Sequence, residues 1–493
     1  MKNKYRNTDS SIKAGDLILT EQPFAFVLSS KEQGSRCDNC LEKVKVLKCS
    51  GCQYVHYCGR ACQKDAWVNH KWECMNFKRV APKILPDGAR MLAKIINRLY
   101  RGDGHTFRSF YSGSSFRMWK DLMSHYSDLK TDVKRMDHFM SLCGVLYEFL
   151  KDISLPNTVE MMGLYGRMVI NSFMILDSDM NSIGTGIYLA SSILDHSCDP
   201  NVVATFDGKT INIRAIKDMP CLDWNQVRIS YIDLMKTPYD RQTELLKNYY
   251  FLCNCDRCMD ETQIKYVHAG ICLNKQCDKP VNIPWKDNCP LVRKPEKNID
   301  TETIDNGLPN NSDGDVNTDT KGISDECNED TDTIHCRECG TKYTEKDIDD
   351  FVKTMEFTFM HLQNMERASV AYVDVCQYCL DKQDGVLHPL NVLHAQTLDH
   401  AFDALIQMQL WDKACHYAER LIPCFRFYYG ERNPLLGLLH IKFGKILLYK
   451  MDIDKALHQL KCAEKIIKIT HGERHQLYKE QLLPLLQQAI MES

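Results

Sequence analysis

The sequence predicts an α+β protein whose β-rich core is tied down by several metal sites and followed by an all-α carboxyl-terminal lobe. Three observations predict it. Cysteine couples two to four residues apart recur along the chain, strand-forming strings between 184 and 252 close on a Cys-x-Cys-x2-Cys cluster, and from about residue 346 apolar residues return every third and fourth position. With 493 residues the chain is too long for one ordinary core, so roughly two to four domains are expected. Hydrophobic residues at 44% and charged residues at 26% fit a soluble globular class, and the start, MKNKYRNTDSS, has no apolar segment that would direct secretion. A formal charge of −3 steers the chain toward neither nucleic acid nor an anionic membrane. The 24 cysteines are the informative count.

The first cysteine block runs Cys37-x2-Cys40, Cys49-x2-Cys52, Cys58-x3-Cys62 and His70-x3-Cys74. Couples so spaced grip one tetrahedral zinc through a tight knuckle or a helical turn, and eight ligands complete two sites. Spacing does not say which couple shares a metal with which. The strings CDNC, CSGC, YCGRAC and HKWEC resemble a MYND finger. That resemblance implies cross-brace pairing, with Cys37, Cys40, Cys58 and Cys62 on one zinc and Cys49, Cys52, His70 and Cys74 on the other. It also implies docking of short proline-containing peptides. Residues 41–79 hold eight Lys/Arg against three acids, which invites a nucleic-acid reading. The thiolates of two zinc sites offset about three of those charges, so nucleic acid is not the expected partner.

Farther along, GTGIYLASSILDHSCDPNV (184–202) is followed by VRISYIDL (227–234) and NYYFLCNCDRC (248–258). Cys253, Cys255 and Cys258 supply three thiolates, and Cys198 is the best source of the fourth, pulling the DHSCDP turn against the cluster. Together these strings resemble a SET domain with its post-SET zinc. Because the finger interrupts the segment that starts at KAGDLILTEQPFAFVL (13–28), the whole chain resembles the SMYD family of protein-lysine methyltransferases.

The resemblance implies methyl transfer from S-adenosyl-L-methionine to a lysine of a histone or non-histone protein. A lysine amine has an unperturbed pKa of about 10.4, so a narrow aromatic channel must desolvate it and align it. By the resemblance Tyr231 is the catalytic tyrosine facing the methyl, Phe173 and Tyr249 are channel walls, and Asn171, Asp195, His196, Tyr231 and Phe251 touch the cofactor. The chain departs from the family pattern in that pocket. Asp195 stands where the family has Asn, DWNQ (223–226) replaces an acidic turn, and NKYRNTDSSI ahead of KAGD has no glycine. By the same alignment Met123 and Lys130 replace an aromatic and an acid. A strand encoded upstream of Met1 would account for the missing glycine turn. Loss of cofactor binding would as well, and it is the basis of an alternative reading as a catalytically inactive scaffold that acts in transcriptional regulation by docking proteins.

Cys272-x4-Cys277 and Cys336-x2-Cys339 read as two knuckles of a zinc ribbon, and four thiolates leave no open position, so its role is structural. The stretch between them, 286–335, is rich in Asp, Asn, Thr and Gly and reads as a disordered acidic insertion. Four zinc clusters take the chain to about −10. Cys376-x2-Cys379 reads as a core pair on one helix face.

The expected order is a SET amino-terminal part (1–36), the MYND finger (37–74), a helical insert (75–165), the SET core (166–252), the post-SET zinc (253–260), the ribbon (261–345) and a TPR-like lobe (346–493). Helix pairs such as LGLLHIKFGKILLYK and DKALHQLKCAEKI build a concave surface, and in SMYD relatives that lobe helps wall the substrate groove. The resemblance further implies corepressor or histone contacts in chromatin, a monomer, no membrane, and residence in cytoplasm and nucleus.

Overall fold

The computed structural model describes residues 11–151, 153–285, 334–368 and 370–493. All but Ser11 and Ile12 of the glycine-free stretch ahead of KAGD, and nearly all of the acidic insertion expected over 286–335, lie outside the described residues. No helix among them is long and apolar enough to cross a membrane.

Among the described residues fourteen short strands form the β component. β1 (Leu17–Glu21) and β2 (Ala25–Leu28) lead into the finger's hairpin, β3 (Leu47–Lys48) with β4 (His56–Tyr57). β5 (Ser109–Phe110) and β6 (Phe116–Arg117) form a second hairpin. β7 (Ser172–Leu176), β8 (Ser182–Ile187), β9 (Asp195–His196), β10 (Val202–Asp207), β11 (Thr210–Ala215) and β12 (Arg228–Ile229) make the central layers. β13 (Ala269–Ile271) and β14 (Pro280–Asn282) pair in the ribbon.

The two central sheets run β1-β11-β10 and β2-β8-β7, all antiparallel. β1 and β2 therefore join different sheets: β1 pairs Leu17 with Arg214 and β2 pairs Ala25 with Ile187, so the amino-terminal segment staples both sheets to residues far along the chain. β10 and β11, VVATFD and TINIRA, are rich in β-branched residues, and their alternate side chains Val202, Phe206, Ile211, Ile213 and Ala215 enter a core shared with Ile18, Leu19 and Tyr188. β12 pairs with β9 in parallel, Arg228 opposite Asp195 and Ile229 opposite His196, which draws SYID beside DHSC.

The finger's helix α1 (Arg60–Val80) packs with α2 (Asp87–Tyr100), α3 (Asp103–Thr106), α4 (Tyr126–Thr131), α5 (Val133–Phe149) and α6 (Thr158–Asn171) in a second core centred on Phe77, Leu92, Ile95 and Phe139. α7 (Pro238–Tyr249) starts where Thr237 caps it: the hydroxyl accepts from the Asp240 amide at 3.0 Å and donates to the Asp240 carboxylate at 2.7 Å, with Pro238 in the first turn. α8 (Asp256–Met259) and α9 (Glu261–Val267) follow.

The carboxyl-terminal lobe is α10 (Glu345–Ala368), α11 (Val373–Gln383), α12 (Val392–Gln407), α13 (Trp411–Tyr429), α14 (Pro434–Tyr449), α15 (Ile453–Thr470) and α16 (Leu483–Glu492). Asn391 and Asn433 cap α12 and α14 through amides two residues on. The lobe shares one core with the ribbon, whose Cys272, Cys336 and Tyr343 pack with Phe351 and Leu387. Cys376 and Cys379 are both buried in α11. Contacts that tie the lobe to the SET layers include Gln396 Nε2 to Met235 O at 2.9 Å, Tyr429 Oη to Asp233 Oδ1 at 2.8 Å, Arg432 Nη1 to Ile216 O at 2.9 Å, His475 Nε2 to Phe206 O at 2.8 Å and Gln481 Nε2 to Ser178 Oγ at 2.9 Å.

Candidate active site

Among the described residues the chain assembles four tetrads: Cys37, Cys40, Cys58 and Cys62; Cys49, Cys52, His70 and Cys74; Cys198, Cys253, Cys255 and Cys258; and Cys272, Cys277, Cys336 and Cys339. Within each, all ligand atoms lie within 4.8 Å of one another. Zn–S bonds of about 2.3 Å place tetrahedral sulfurs about 3.8 Å apart. Cys40 to Cys58, Cys49 to Cys74 and Cys277 to Cys336 are each 3.8 Å, and Cys198 lies 3.4 Å from Cys258 and 4.0 Å from Cys253. Such spacing is far beyond a disulfide and fits zinc. The first two tetrads interleave along the chain.

Cation-bearing side chains that spacing could not reveal surround these clusters. A four-thiolate zinc site carries a net −2, and buried charge needs a counter-ion. At the third cluster Arg241, 1% exposed, reaches the Cys258 sulfur at 3.7 Å and is held by Lys236 O at 2.7 Å. Arg257 donates to Cys198 O at 2.8 Å and to Tyr428 O of the carboxyl-terminal lobe, so the zinc turn and the lobe share one guanidinium. In the finger, Glu73 accepts from His70 Nδ1 at 3.2 Å while Arg90 bridges Glu73 and Asp38. Burial pushes the Glu73 carboxyl up, but Arg90 and Lys94 overcome it and hold the group ionised well below the usual range.

The candidate site lies against the third cysteine tetrad. Cys198 brings DHSC to the CNCDRC segment, and the β9–β12 pairing aligns Tyr231 beside it. The Tyr231 hydroxyl donates to Leu194 O at 2.5 Å, and its amide donates to His196 Nδ1 at 3.0 Å. His196 Nε2 faces the Cys198 sulfur at 3.2 Å. With Nδ1 accepting, the Nε2 proton points at the thiolate, so one neutral ring links the metal cluster to the Tyr231 segment. Burial pushes the His196 pKa down to about 4, which keeps that ring neutral. Burial also raises the Tyr231 phenol, with Asp195 adding to the shift.

Tyr249 stands 4.9 Å from Tyr231 between ring centres, and Phe251 meets Tyr231 edge-on at 6.5 Å and His196 at 6.1 Å. Tyr231, Tyr249, His196 and Phe251 thus form one aromatic group. Phe173 lies on β7, where its ring meets Tyr188 at 5.7 Å, and it shares the neighbouring core with Tyr231. Asn171 closes α6 just before β7, and its amide donates to Met123 O and Arg167 O, both at 2.8 Å. Asp195 is exposed and its carboxylate lies 4.0 Å from Arg228. Met123 and Lys130 are exposed. Arg117, which no motif marked, donates to Ser192 O at 2.8 Å, within electrostatic reach of both Asp195 and Tyr231.

The MYND finger family model matches residues 37–74. The chain is 26% identical to histone-lysine N-methyltransferase SMYD3 of Homo sapiens, over 96% of this chain and 92% of that protein. It is 24% identical to N-lysine methyltransferase SMYD2-A of Xenopus laevis, over 95% and 93% of the two chains. With histone-lysine N-methyltransferase ASHR1 of Arabidopsis thaliana identity is 24%, over 96% and 90%. Over nearly its whole length the chain is similar to SMYD lysine methyltransferases. The residues that the resemblance assigns to the adenosyl donor have groups that fit it. Among the described residues the Asn171 Oδ1 has no hydrogen-bond donor, Asp195 offers a carboxylate to an ammonium, and Phe251 offers a ring face. The glycine turn that the resemblance led us to seek would lie in residues that are not described.

Proposed function

We propose that this chain transfers a methyl group from S-adenosyl-L-methionine to a lysine of a histone or non-histone protein. One observation carries the reading: Tyr231 is fixed at both ends, its hydroxyl on Leu194 O and its amide on His196, beside Tyr249, Phe251 and the Cys198 zinc site. The donor supplies an electrophilic methyl when bound. Asn171, Asp195, His196 and Phe251 would hold it. The chain's own residues position: the Tyr231 and Tyr249 rings exclude water from an entering amine and favour its neutral form, the only form with a lone pair to attack. A raised phenol pKa keeps Tyr231 protonated, so its hydroxyl acts as a dipole and not as an anion that would trap the sulfonium.

The lobe's contacts with Asp233 and Met235 place α12 and α13 beside the segment after β12 that carries Tyr231, which supports entry of substrate between SET layers and lobe. Docking of proline-containing peptides, with corepressor or histone contacts, belongs to the finger, where Trp67 and Val68 are exposed at 43% and 71%. Residence in nucleus and cytoplasm accords with histone and non-histone substrates.

Asp195 and the glycine-free amino-terminal stretch favour the second reading, an inactive docking scaffold. Calorimetric titration of zinc-loaded, full-length protein with S-adenosyl-L-methionine separates the two. We expect saturable binding, and methyl transfer to a histone mixture that Tyr231→Phe lowers at least tenfold with zinc content unchanged. No binding heat and no transfer would leave the scaffold.

A further inference from the structure

Where the finger meets the SET layers lies a cavity of about 210 Å³. The finger walls it between Asp38 and Glu73, one face of α2 closes a second side, and the β1–β2 turn and Lys209 of the β10–β11 turn complete it. No residue of the Tyr231 group lines it.

The acids around this cavity are already spent. Arg90 takes Asp38 at 2.9 Å and Glu73 at 2.6 Å. Asp65 accepts from the Asn39 amide at 2.9 Å and is 68% exposed. Arg98 is likewise engaged, by Asp103 at 2.7 Å and by Phe24 O.

The unmet groups are donors. Lys94 lies one turn along α2 from Arg90, and its ammonium donates to Phe26 O at 3.0 Å. Among the described residues no acid stands within ion-pair distance of it. Burial pushes its pKa down to about 8, although Glu73 and Asp38 pull the other way. Asn97 follows three positions later on the same face of α2, and Tyr57 comes from β4 of the finger. Both are buried, and among the described residues neither the Asn97 side-chain amide nor the Tyr57 hydroxyl has a hydrogen-bond partner. A second ammonium stands near: Lys94 and Lys209 each lie 5.1 Å from the centre of the Phe26 ring, and Lys209 is bound to Asn39 Oδ1 at 3.0 Å. Buried donors without acceptors cost free energy, and an ammonium among them favours a negatively charged acceptor most.

We propose that this cavity is an oxyanion site, in which a phosphate or carboxylate group accepts from the Lys94 ammonium, the Tyr57 hydroxyl and the Asn97 amide while Lys209 adds charge. An anion seated there joins the metal-held finger to α2 and the β10–β11 turn at one point.

The test is calorimetric titration of full-length, zinc-loaded protein with inorganic phosphate and, separately, with acetate, ionic strength being held constant with chloride. Saturable binding of at least one probe is expected, with a dissociation constant of about 1 mM or tighter, and the tighter probe tells whether a phosphate or a carboxylate group is preferred. Lys94→Met keeps the stem and removes the charge, and should weaken binding at least tenfold with zinc content unchanged. Tyr57→Phe, which removes one oxygen, should weaken it by a smaller factor. Lys83→Met alters an exposed lysine paired with Glu148 and should leave binding as it was. Absence of saturable binding of either probe to the unaltered protein overturns the inference even if no variant folds, and so does binding that Lys94→Met leaves intact. Binding is read without methyl transfer, so this site and the enzymatic reading can fail separately.

Discussion

Replacing Arg90 with leucine tests how the finger is joined to the rest of the chain. The Arg90 guanidinium donates to Glu73 through Nε at 2.6 Å and to Asp38 through Nη1 at 2.9 Å, and it lies over the Tyr54 and Phe77 rings at 5.7 and 5.4 Å. All three charged side chains are about 3% exposed or less. Leucine fills part of the space but leaves two buried carboxylates without their cation. Removing one partner of a buried pair costs about 3–5 kcal/mol. The damage should reach the metal. Glu73 orients His70, and loss of such support typically lowers metal affinity about 10–100-fold. The pH dependence has a definite sign. In the parent protein the Glu73 pKa is held low, so its stabilisation is present above the unfolded value and is lost as pH falls. In the variant, burial without Arg90 raises that pKa, so the penalty is small near pH 4 and grows toward pH 7. Urea denaturation at both pH values, with zinc release to a chromophoric chelator, measures the two effects. A loss under about 1 kcal/mol at pH 7 with unchanged zinc release would refute the idea that Arg90 is the counter-ion on which this seam depends.

Three further outcomes are expected. Cys198→Ala should lower zinc from four to three per chain by elemental analysis and abolish donor binding, because it unties DHSC from CNCDRC; four zincs in the variant would contradict that. Asp399→Asn should stabilise the fold: a carboxyl raised by burial from 3.8 to about 7 weakens the folded state as pH rises through that window, by up to about 4 kcal/mol above pH 7, so the gain should be near zero at pH 4 and largest at pH 8 in thermal melts. Gly166→Ala should destabilise the fold and weaken donor binding together, since a Cβ there would stand 2.2 Å from Ser124 O and press the Met123 loop away from Asn171. Melting and calorimetry on the same preparation check both.

Much of the zinc chemistry was legible because a knuckle is local: two cysteines two to four residues apart already define half a site. Helical periodicity after residue 346 was legible for the same reason, since it reports one face of one element at a time. Arg241, Arg257 and Arg90 left no such signal. Each is a single cation in a chain with 62 Lys/Arg, and what distinguishes it is burial against charge contributed from elsewhere. Likewise nothing in the string VLHAQTLDHAFDALIQ separates Asp399 from an acid on a solvated helix face.

By itself the sequence determined which residues can bind metal, where helices replace strands, and which strings resemble SET and MYND. Only the tertiary structure decided that β1 and β2 divide between two sheets, that His196 spends both ring nitrogens joining Cys198 to Tyr231, and that Asp399 has no partner among the described residues. The physical reason is that coordination spacing and periodicity are short-range along the chain, whereas the electrostatic value of a charge or a ring nitrogen depends on neighbours brought in from tens to hundreds of residues away.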